Sequence, residues 1–218
     1  MKIHQRFGGG VGISVREYDI ATSTSIKKGT VVKISGGLVV QASATETGAI
    51  LGIAMENHSG QADALDPRSN GPKILVCDCP DAVFAVPAIV IEATGGSSTT
   101  VTTDELGAYS ADDWNGGFLK LVEKVSGSTN TDEIGAVKQI TDYAYNATGT
   151  VSTFTVASGG TANDGDKYEL YPPAGLAKFK LNSTFDALQA DAVSCTVFKA
   201  VGRDTDIGDI FVKPANHF

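Results

Sequence analysis

The stretch that decides the fold class is TVVKI-SGG-LVVQA, residues 30–42, followed by AILGIAM, residues 49–55. Two short β-branched segments that flank a pair of glycines predict a β-hairpin, because glycine adopts the positive φ angles of tight turns without steric cost. The apolar run at residues 49–55 has the length of a strand and follows another turn-rich segment. The region therefore predicts three consecutive antiparallel strands.

The same alternation of short apolar segments and Gly, Asn, Asp or Pro turns continues to the end of the chain, and it predicts further strands. These are Lys73–Cys79, Ala82–Ile91, Phe118–Val125, Ala136–Tyr145, Val151–Ala157, Lys167–Tyr171, Ala192–Val201 and Ile207–Lys213. One short helix is predicted at Phe185–Ala190, capped by Ser183 or Thr184. The predicted fold is all-β: a small β-barrel or sandwich with an additional β-rich unit, long loops and one short helix.

Glycine-rich and low-complexity stretches suggest four regions. Residues 1–25 contain GGGVG and read as an extended N-terminal arm, and residues 26–95 form a β domain. The Gly/Ser/Thr stretch at 95–100 marks a boundary, after which residues 96–175 form an inserted or second β-rich unit. Residues 176–218 contribute the short helix and strands that complete the first domain. Trp114, the only tryptophan, is expected to anchor a small core.

Charge and composition restrict the partners. The chain has 218 residues and a formal net charge of −8. Phosphate binding requires clustered Lys and Arg, so a nucleic acid is not expected as a direct partner. No apolar run reaches the roughly 20 residues of a membrane span, and the N-terminus lacks the apolar core of a signal peptide. The protein is therefore expected to be made in a cytoplasm and to have no membrane partner.

No residue pattern indicates catalysis or a cofactor. Nucleophile and metal motifs such as G-x-S-x-G and H-E-x-x-H are absent from the sequence. Cys77 and Cys79 fall on one face of a strand, but no second Cys or His pair accompanies them, so we interpret them as small buried apolar residues. Four groups of acidic residues remain, and the last of them is read as a solvated turn. They are Asp112-Asp113, Asp132-Glu133, Asp164 with Asp166, and Asp204, Asp206 and Asp209.

The acidic residues allow two further interpretations, a calcium-binding loop and a glycosidase site. Residues 203–209 (RDTDIGD) share spaced aspartates with a calcium loop, but the terminal Glu and the central Gly of such a loop are missing. A glycosidase needs two carboxylates about 5–10 Å apart in a cleft, and nothing in the sequence indicates that arrangement. We therefore expect a protein that is not an enzyme and that binds neither a metal nor another cofactor.

The segments IKKGTVVKI at residues 26–34, LVVQA at 38–42 and AILGIAM at 49–55 resemble capsid decoration (cement) proteins of tailed bacteriophages. The resemblance covers residues 26–90 best. The hairpin around Tyr143-Ala144-Tyr145-Asn146 and the closing segment Gly165–Pro173 have the character of an extra β unit in phage structural proteins. The insertion at residues 96–175 departs from the pattern of small cement proteins.

The resemblance implies a virion protein on the capsid exterior that binds the major capsid protein and stabilises contacts between capsomers. It implies a homotrimer, with strands from residues 26–90 lining the trimer axis, and extended arms that add to neighbouring molecules. The N-terminal arm is then the candidate for capsid or inter-subunit contact. Its candidate contact residues are Ile3, Arg6, Phe7, Val11 and Ile13.

The alternative interpretation is a different class of binding protein. A head-fibre or tail-associated adhesin would also be β-rich and turn-heavy, and it would bind a host surface component. Fibrous repeats or an aromatic-lined groove would favour it. The sequence has no repeat, and aromatic residues make up 7% of it, so the decoration protein is the preferred interpretation.

Overall fold

The computed structural model of the chain describes residues 14–21, 24–43, 46–59, 72–176 and 198–215. It also describes the backbone pairing of three dipeptides, Lys2–Ile3, Lys180–Leu181 and Leu188–Gln189. The described residues form eighteen strands. In chain order these are β1 Lys2–Ile3, β2 Val15–Asp19, β3 Val31–Ser35, β4 Leu38–Gln41, β5 Gly52–Ala54, β6 Lys73–Cys77, β7 Phe84–Pro87, β8 Ile89–Glu92, β9 Gly95–Gly96, β10 Thr100–Thr103, β11 Phe118–Glu123, β12 Val137–Asn146, β13 Val151–Val156, β14 Lys167–Tyr171, β15 Lys180–Leu181, β16 Leu188–Gln189, β17 Phe198–Asp204 and β18 Asp209–Pro214.

The first large sheet has the strand order β2-β6-β5-β3-β4, and all its strand pairs are antiparallel. It includes the predicted hairpin, in which β3 pairs with β4. A single parallel bridge between Ile20 and Val39 brings its two edges together. The sheet thus curls around a small core that contains Val32, Ile74 and Val76. Its strands β3, β5 and β6 bury apolar residues such as Val31, Ile53 and Val76, whereas the edge strand β2 is polar and mostly exposed.

The second large sheet has the order β8-β14-β11-β12-β13-β10-β9. Its long strand β12 pairs with β11 through Val137–Gln139 and with β13 through residues 140–146, and the register shifts between Ile140 and Asp142. Such an irregularity bends a strand, and here it lets one strand serve both halves of the sheet. The two outermost strands, β8 and β9, are separated by only Ala93 and Thr94. The sheet therefore folds back on itself around an apolar interior.

The C-terminal hairpin of β17 and β18 joins β7 in a four-stranded sheet of order β1-β7-β18-β17. A separate two-stranded sheet pairs β15 with β16. This pairing contradicts the predicted helix at Phe185–Ala190 for Leu188 and Gln189, which lie opposite Leu181 and Lys180 as extended strand. The other residues of the predicted helix lie outside the described residues.

The predicted single strand Ala82–Ile91 is two strands in the structure. The ladder breaks at Ala88, so that β7 pairs with β18 while β8 pairs with β14 of another sheet. Ala88 keeps its backbone partner across the break, because its N–H donates to the carbonyl of Gly208 at 2.7 Å. Consecutive apolar residues satisfied the length expected of one strand. Pro87, which has no backbone N–H to donate, was the local signal against one continuous ladder.

One apolar cluster unites the three large sheets. It contains Val31 and Ile53 from the first sheet, Phe84 from the four-stranded sheet, and Leu119 and Phe154 from the second large sheet. Trp114 is fully buried in it, with ring centroids 5.2 Å from Tyr109 and 6.1 Å from Phe154 in edge-on geometry. The prediction that Trp114 anchors a core is confirmed.

The predicted fold class is confirmed: the chain is all-β, with three large antiparallel sheets in a sandwich-like arrangement. No sheet of the described residues closes into a barrel. The low-complexity stretch at 95–100, expected to be only a boundary, supplies β9 and the start of β10. Within the described ranges, no helix is long and apolar enough to cross a membrane.

A glycine in β5 is required by close backbone approach. A Cβ atom built on Gly52 would lie 1.9 Å from the carbonyl oxygen of Cys77 on the neighbouring strand. We expect Gly52→Ala to lower the free energy of unfolding by about 2–4 kcal/mol, since the strands would have to separate. Urea denaturation measures the change. Gly149→Ala is the matched control, because its nearest contact would be 3.6 Å, and an equal loss in both variants would contradict the argument.

Candidate interaction surface

The N-terminal strand β1 lies along an edge of β7. Lys2 is opposite Ala85 and Ile3 is opposite Phe84, while the other edge of β7 pairs with β18. Backbone hydrogen bonds of this kind require no particular side chain, so an extended segment can bind wherever a strand edge is free. Strand β1 of the arm is thus the fourth strand of the β1-β7-β18-β17 sheet.

The five predicted contact residues have different outcomes. Ile3 is part of β1 and pairs with Phe84. The other four, Arg6, Phe7, Val11 and Ile13, lie outside the described residues. The region assigned to the arm also contains β2, which pairs with β6 along its whole length. The polar residues of β2 gave no apolar alternation, and this is why the sequence did not reveal it as a strand.

Two side chains of β2, Arg16 and Tyr18, contact Asp78, which follows β6. The Tyr18 hydroxyl donates to Oδ2 of Asp78 at 2.5 Å, and Nε of Arg16 lies 3.4 Å from the same oxygen. Burial by itself raises the pKa of Asp78, but the Tyr18 hydrogen bond and the Arg16 charge outweigh it, and the pKa lies below its usual value. The Asp78 carboxylate is therefore ionised at neutral pH, and it fixes the start of β2 against β6.

Most of the acidic pairs seen in the sequence organise turns. The Asp112 carboxylate accepts a bond from the Asn115 amide at 2.6 Å, and the Asp113 carboxylate accepts one from the Ser110 N–H at 2.8 Å. Asp132 forms an ion pair with Lys138 and also accepts from the Gly160 N–H at 2.9 Å. Asp112 and Asp113 thus stabilise their own turn, whereas Asp132 joins its loop to the distant Gly160.

Asp166 has a structural role that the sequence did not reveal. The residue is completely buried, and its carboxylate accepts bonds from the backbone N–H groups of Val125 and Asn163 and from the side chains of Ser128 and Asn130. Burial opposes ionisation, but these hydrogen bonds, led by that of Asn130, hold the pKa of Asp166 below its usual range. Asp166 therefore ties the loop after β11 to the turn before β14.

Glu46 is a second buried carboxylate, and it stabilises the turn between β4 and β5. It accepts bonds from Nζ of Lys33 at 2.6 Å, from the Gly48 N–H at 3.0 Å and from the Ser43 N–H at 3.3 Å. Burial opposes ionisation, but the Lys33 interaction and the two backbone donors lower the pKa of Glu46 to about 2. A glutamate in a polar TETG turn gives no sequence signal of burial.

The described residues contain no group of three or more His, Cys, Asp or Glu side chains that could hold a metal ion. At the loop that shares features with a calcium site, Oδ1 of Asp204 accepts bonds from the N–H groups of Asp206 and Ile207. Cys77 and Cys79 are buried and not disulfide-bonded, which confirms the interpretation as small apolar residues.

Comparison of the chain with protein-family models, with curated proteins and with solved structures finds no match.

The Glu46 interactions predict a specific pH dependence of stability. The folded pKa of about 2 lies below the ordinary 4.5, so the stabilisation is complete above about pH 5.5 and is lost as the pH falls from 4.5 towards 2. After allowance for screening at the partly exposed Lys33, we expect Glu46→Gln to cost on the order of 1–2 kcal/mol at pH 7.

Urea denaturation of both proteins at pH 7, 4 and 2.5 measures the effect. The difference in unfolding free energy between wild type and Glu46→Gln is expected to shrink with decreasing pH. Because other carboxylates titrate equally in both proteins, the difference isolates Glu46. A difference that stays constant from pH 7 to pH 2.5 would show that Glu46 has an ordinary pKa.

The Asp166 contacts predict a large effect of an isosteric substitution. In Asp166→Asn, an amide NH2 replaces an acceptor that faces N–H and O–H donors, so buried donors are left unsatisfied. We expect the free energy of unfolding to decrease by roughly 2–4 kcal/mol, measured by urea denaturation at pH 7. The exposed neighbour Asp164 provides the control, since Asp164→Asn should change stability by less than about 0.5 kcal/mol. Similar stabilities for the two variants would contradict the assigned role.

Proposed function

We propose that this protein is a virion structural protein that binds the outer surface of a tailed-phage capsid and stabilises contacts between capsomers of the major capsid protein. The observation that carries the proposal is the addition of Lys2–Ile3 to the edge of β7. A terminal segment that binds by strand addition within its own chain has the chemistry needed to bind a neighbouring chain in the same way. The resemblance of residues 26–90 to decoration proteins supports the same role.

The physical properties of the body agree with such a role. A protein that clamps neighbouring subunits transmits force, so it requires a body that does not deform. Three sheets with one common core, and turns fixed by the buried carboxylates of Glu46 and Asp166, supply that rigidity. The net charge of −8 keeps the free protein from associating with itself at random before it binds. We further propose that the protein acts as a homotrimer and needs no cofactor.

The structure gives little support to an adhesin that binds sugars. Carbohydrate platforms use exposed aromatic rings, whereas every described Trp, Tyr and Phe side chain is buried or half-buried. The fully buried ones include Trp114, Tyr143 and Phe154. Most of the described aromatic rings are therefore used for the core. We therefore prefer capsid decoration to a head-fibre or tail-associated adhesin.

The direct test is binding of the purified protein to empty, expanded heads assembled from the major capsid protein encoded with this chain. We expect saturable co-sedimentation, with density at a fixed number of symmetry-related sites in cryo-electron microscopy. Absence of binding to the heads, together with binding to tails or host cells, would overturn the proposal in favour of adhesion.

Deletion of residues 1–12 tests the arm separately. The deletion removes β1 but leaves β7 paired with β18, so thermal unfolding of the body should change little while capsid occupancy falls at least tenfold. Lys2→Ala is the control, because it retains the backbone of β1, and its occupancy should match that of the wild type. Unchanged occupancy after the deletion would remove the arm from the proposed contact.

A further inference from the structure

The turn that joins β17 to β18 forms hydrogen bonds with two other parts of the fold. We call residues 204–209 the hairpin tip. Nζ of Lys120 donates to the carbonyl of Thr205 at 2.6 Å, and the N–H of Ala88 donates to the carbonyl of Gly208 at 2.7 Å. Within the tip, Oδ1 of Asp204 accepts bonds from two backbone N–H groups, those of Asp206 and Ile207. Contacts from two other strand regions and from its own aspartate therefore fix the tip in one conformation.

The hairpin tip and the strand ends beside it expose apolar side chains to solvent. Ile207 is 66% exposed, and no other large hydrophobic residue of the described chain is more exposed. Pro87, also exposed, lies opposite Asp209 in the β7–β18 ladder. Val90, 55% exposed, lies opposite Glu169, whose carboxylate approaches Gly208. The segments that carry Ile207, Pro87 and Val90 are thus neighbours where β7 ends and β8 begins.

The surroundings of these apolar residues are negatively charged. Asp204, Asp206 and Asp209 belong to the tip, and no ion pair joins them to a cation among the described residues. The nearby cations are already engaged. Lys120 is 3.3 Å from Glu169, and the Arg203 guanidinium lies 3.6 Å from the centroid of the Phe118 ring. The tip therefore carries one exposed apolar side chain, Ile207, beside three aspartates, and Lys120 and Arg203 lie in the same region.

We propose that the hairpin tip docks into an apolar pocket bordered by Lys or Arg on the shell of major capsid protein. This inference rests on the proposed function and assigns the shell, rather than a second copy of this chain, as the occupant. Two copies meeting tip to tip would bring six aspartates together, which electrostatic repulsion opposes. A basic rim on the partner removes that repulsion and steers association.

Preorganisation explains why so small a surface can contribute. A side chain that is already fixed loses little conformational entropy on binding. Hot spots consist of a few residues within a larger contact, and a stable interface needs about 1,200–2,000 Å². The tip is therefore one anchor of a larger contact. The strand-adding arm at β7 is the other, and both lie on the four-stranded sheet.

The experiment measures the binding of Ile207→Asp to the same empty, expanded heads. We expect at least a tenfold loss of affinity and an unchanged thermal unfolding temperature, since the residue is exposed. Ile134→Asp is the matched control. Ile134 is also an isoleucine and is 63% exposed, but it lies in the β11–β12 connection. Asp206→Asn should slow association at low salt and make binding less sensitive to added NaCl.

Each result has a distinct meaning. Loss of binding in Ile207→Asp with full binding in Ile134→Asp supports docking by the tip. Equal binding of Ile207→Asp and wild type, or equal losses in the two isoleucine variants, overturns the tip while leaving capsid decoration intact. Failure of the wild type itself to bind heads overturns both. Concentration-dependent self-association that Ile207→Asp abolishes would assign the tip to a second copy and overturn the proposed occupant.

Discussion

The segment from Phe84 to Gly96 is the constraint that joins two of the three large sheets, the four-stranded and the seven-stranded one. Its first strand pairs with β18 and β1, its second with β14 and its third with β10. The residues between strands are also bonded, since the Ala93 N–H donates to the carbonyl of Asp166 and the Thr94 N–H donates to that of Thr102. One extended piece of chain thereby positions the four-stranded sheet and both ends of the largest sheet. Backbone hydrogen bonding fixes their relative placement.

Buried carboxylates fix the turns through hydrogen bonds, as backbone pairing fixes the sheets. Glu46 and Asp166 each accept several hydrogen bonds from a turn or loop that has few apolar side chains of its own. Backbone donors in such loops need acceptors when water is excluded. An ionised carboxylate can satisfy several donors at once, and charge-assisted bonds are stronger than neutral ones. The acidic composition is thus partly structural rather than only a solvent-facing charge.

Local patterns in the sequence were sufficient for most strands but not for their partners. The hairpin of β3 and β4 and the strand Lys167–Tyr171 were predicted closely, because alternation and glycine turns are local signals. The break at Ala88 follows Pro87, a local signal that the prediction of one strand did not use. The partners of the two resulting strands leave no local trace. The helix at Phe185–Ala190 was predicted from a local capping pattern at Ser183 and Thr184. The pairing of Leu188–Gln189 with Lys180–Leu181 contradicts it, since strand pairing depends on a partner that the local pattern does not include.

The candidate surface shows the same division. Ile3 was selected from the sequence, and its pairing with Phe84 depends on backbone geometry rather than on its side chain. The sequence predicts a solvated acidic turn around Asp204 and Asp206 and a strand that begins at Ile207. It does not predict that Ile207 is exposed. Exposure and rigidity there depend on Lys120 and Ala88, which are distant in sequence. Surfaces assembled from remote segments are not visible to reasoning from local pattern.

The pairing of Phe84 with Val212 also has a kinetic consequence. Strands so far apart along the chain meet only after a large loop has closed, and closure of a flexible loop is costly and slow. Here the intervening chain contains the sheet that runs from Ile89 to Tyr171. Once that sheet has formed, the open loop is much shorter. We therefore expect the inner sheet to condense first and the C-terminal hairpin to close over β7 last.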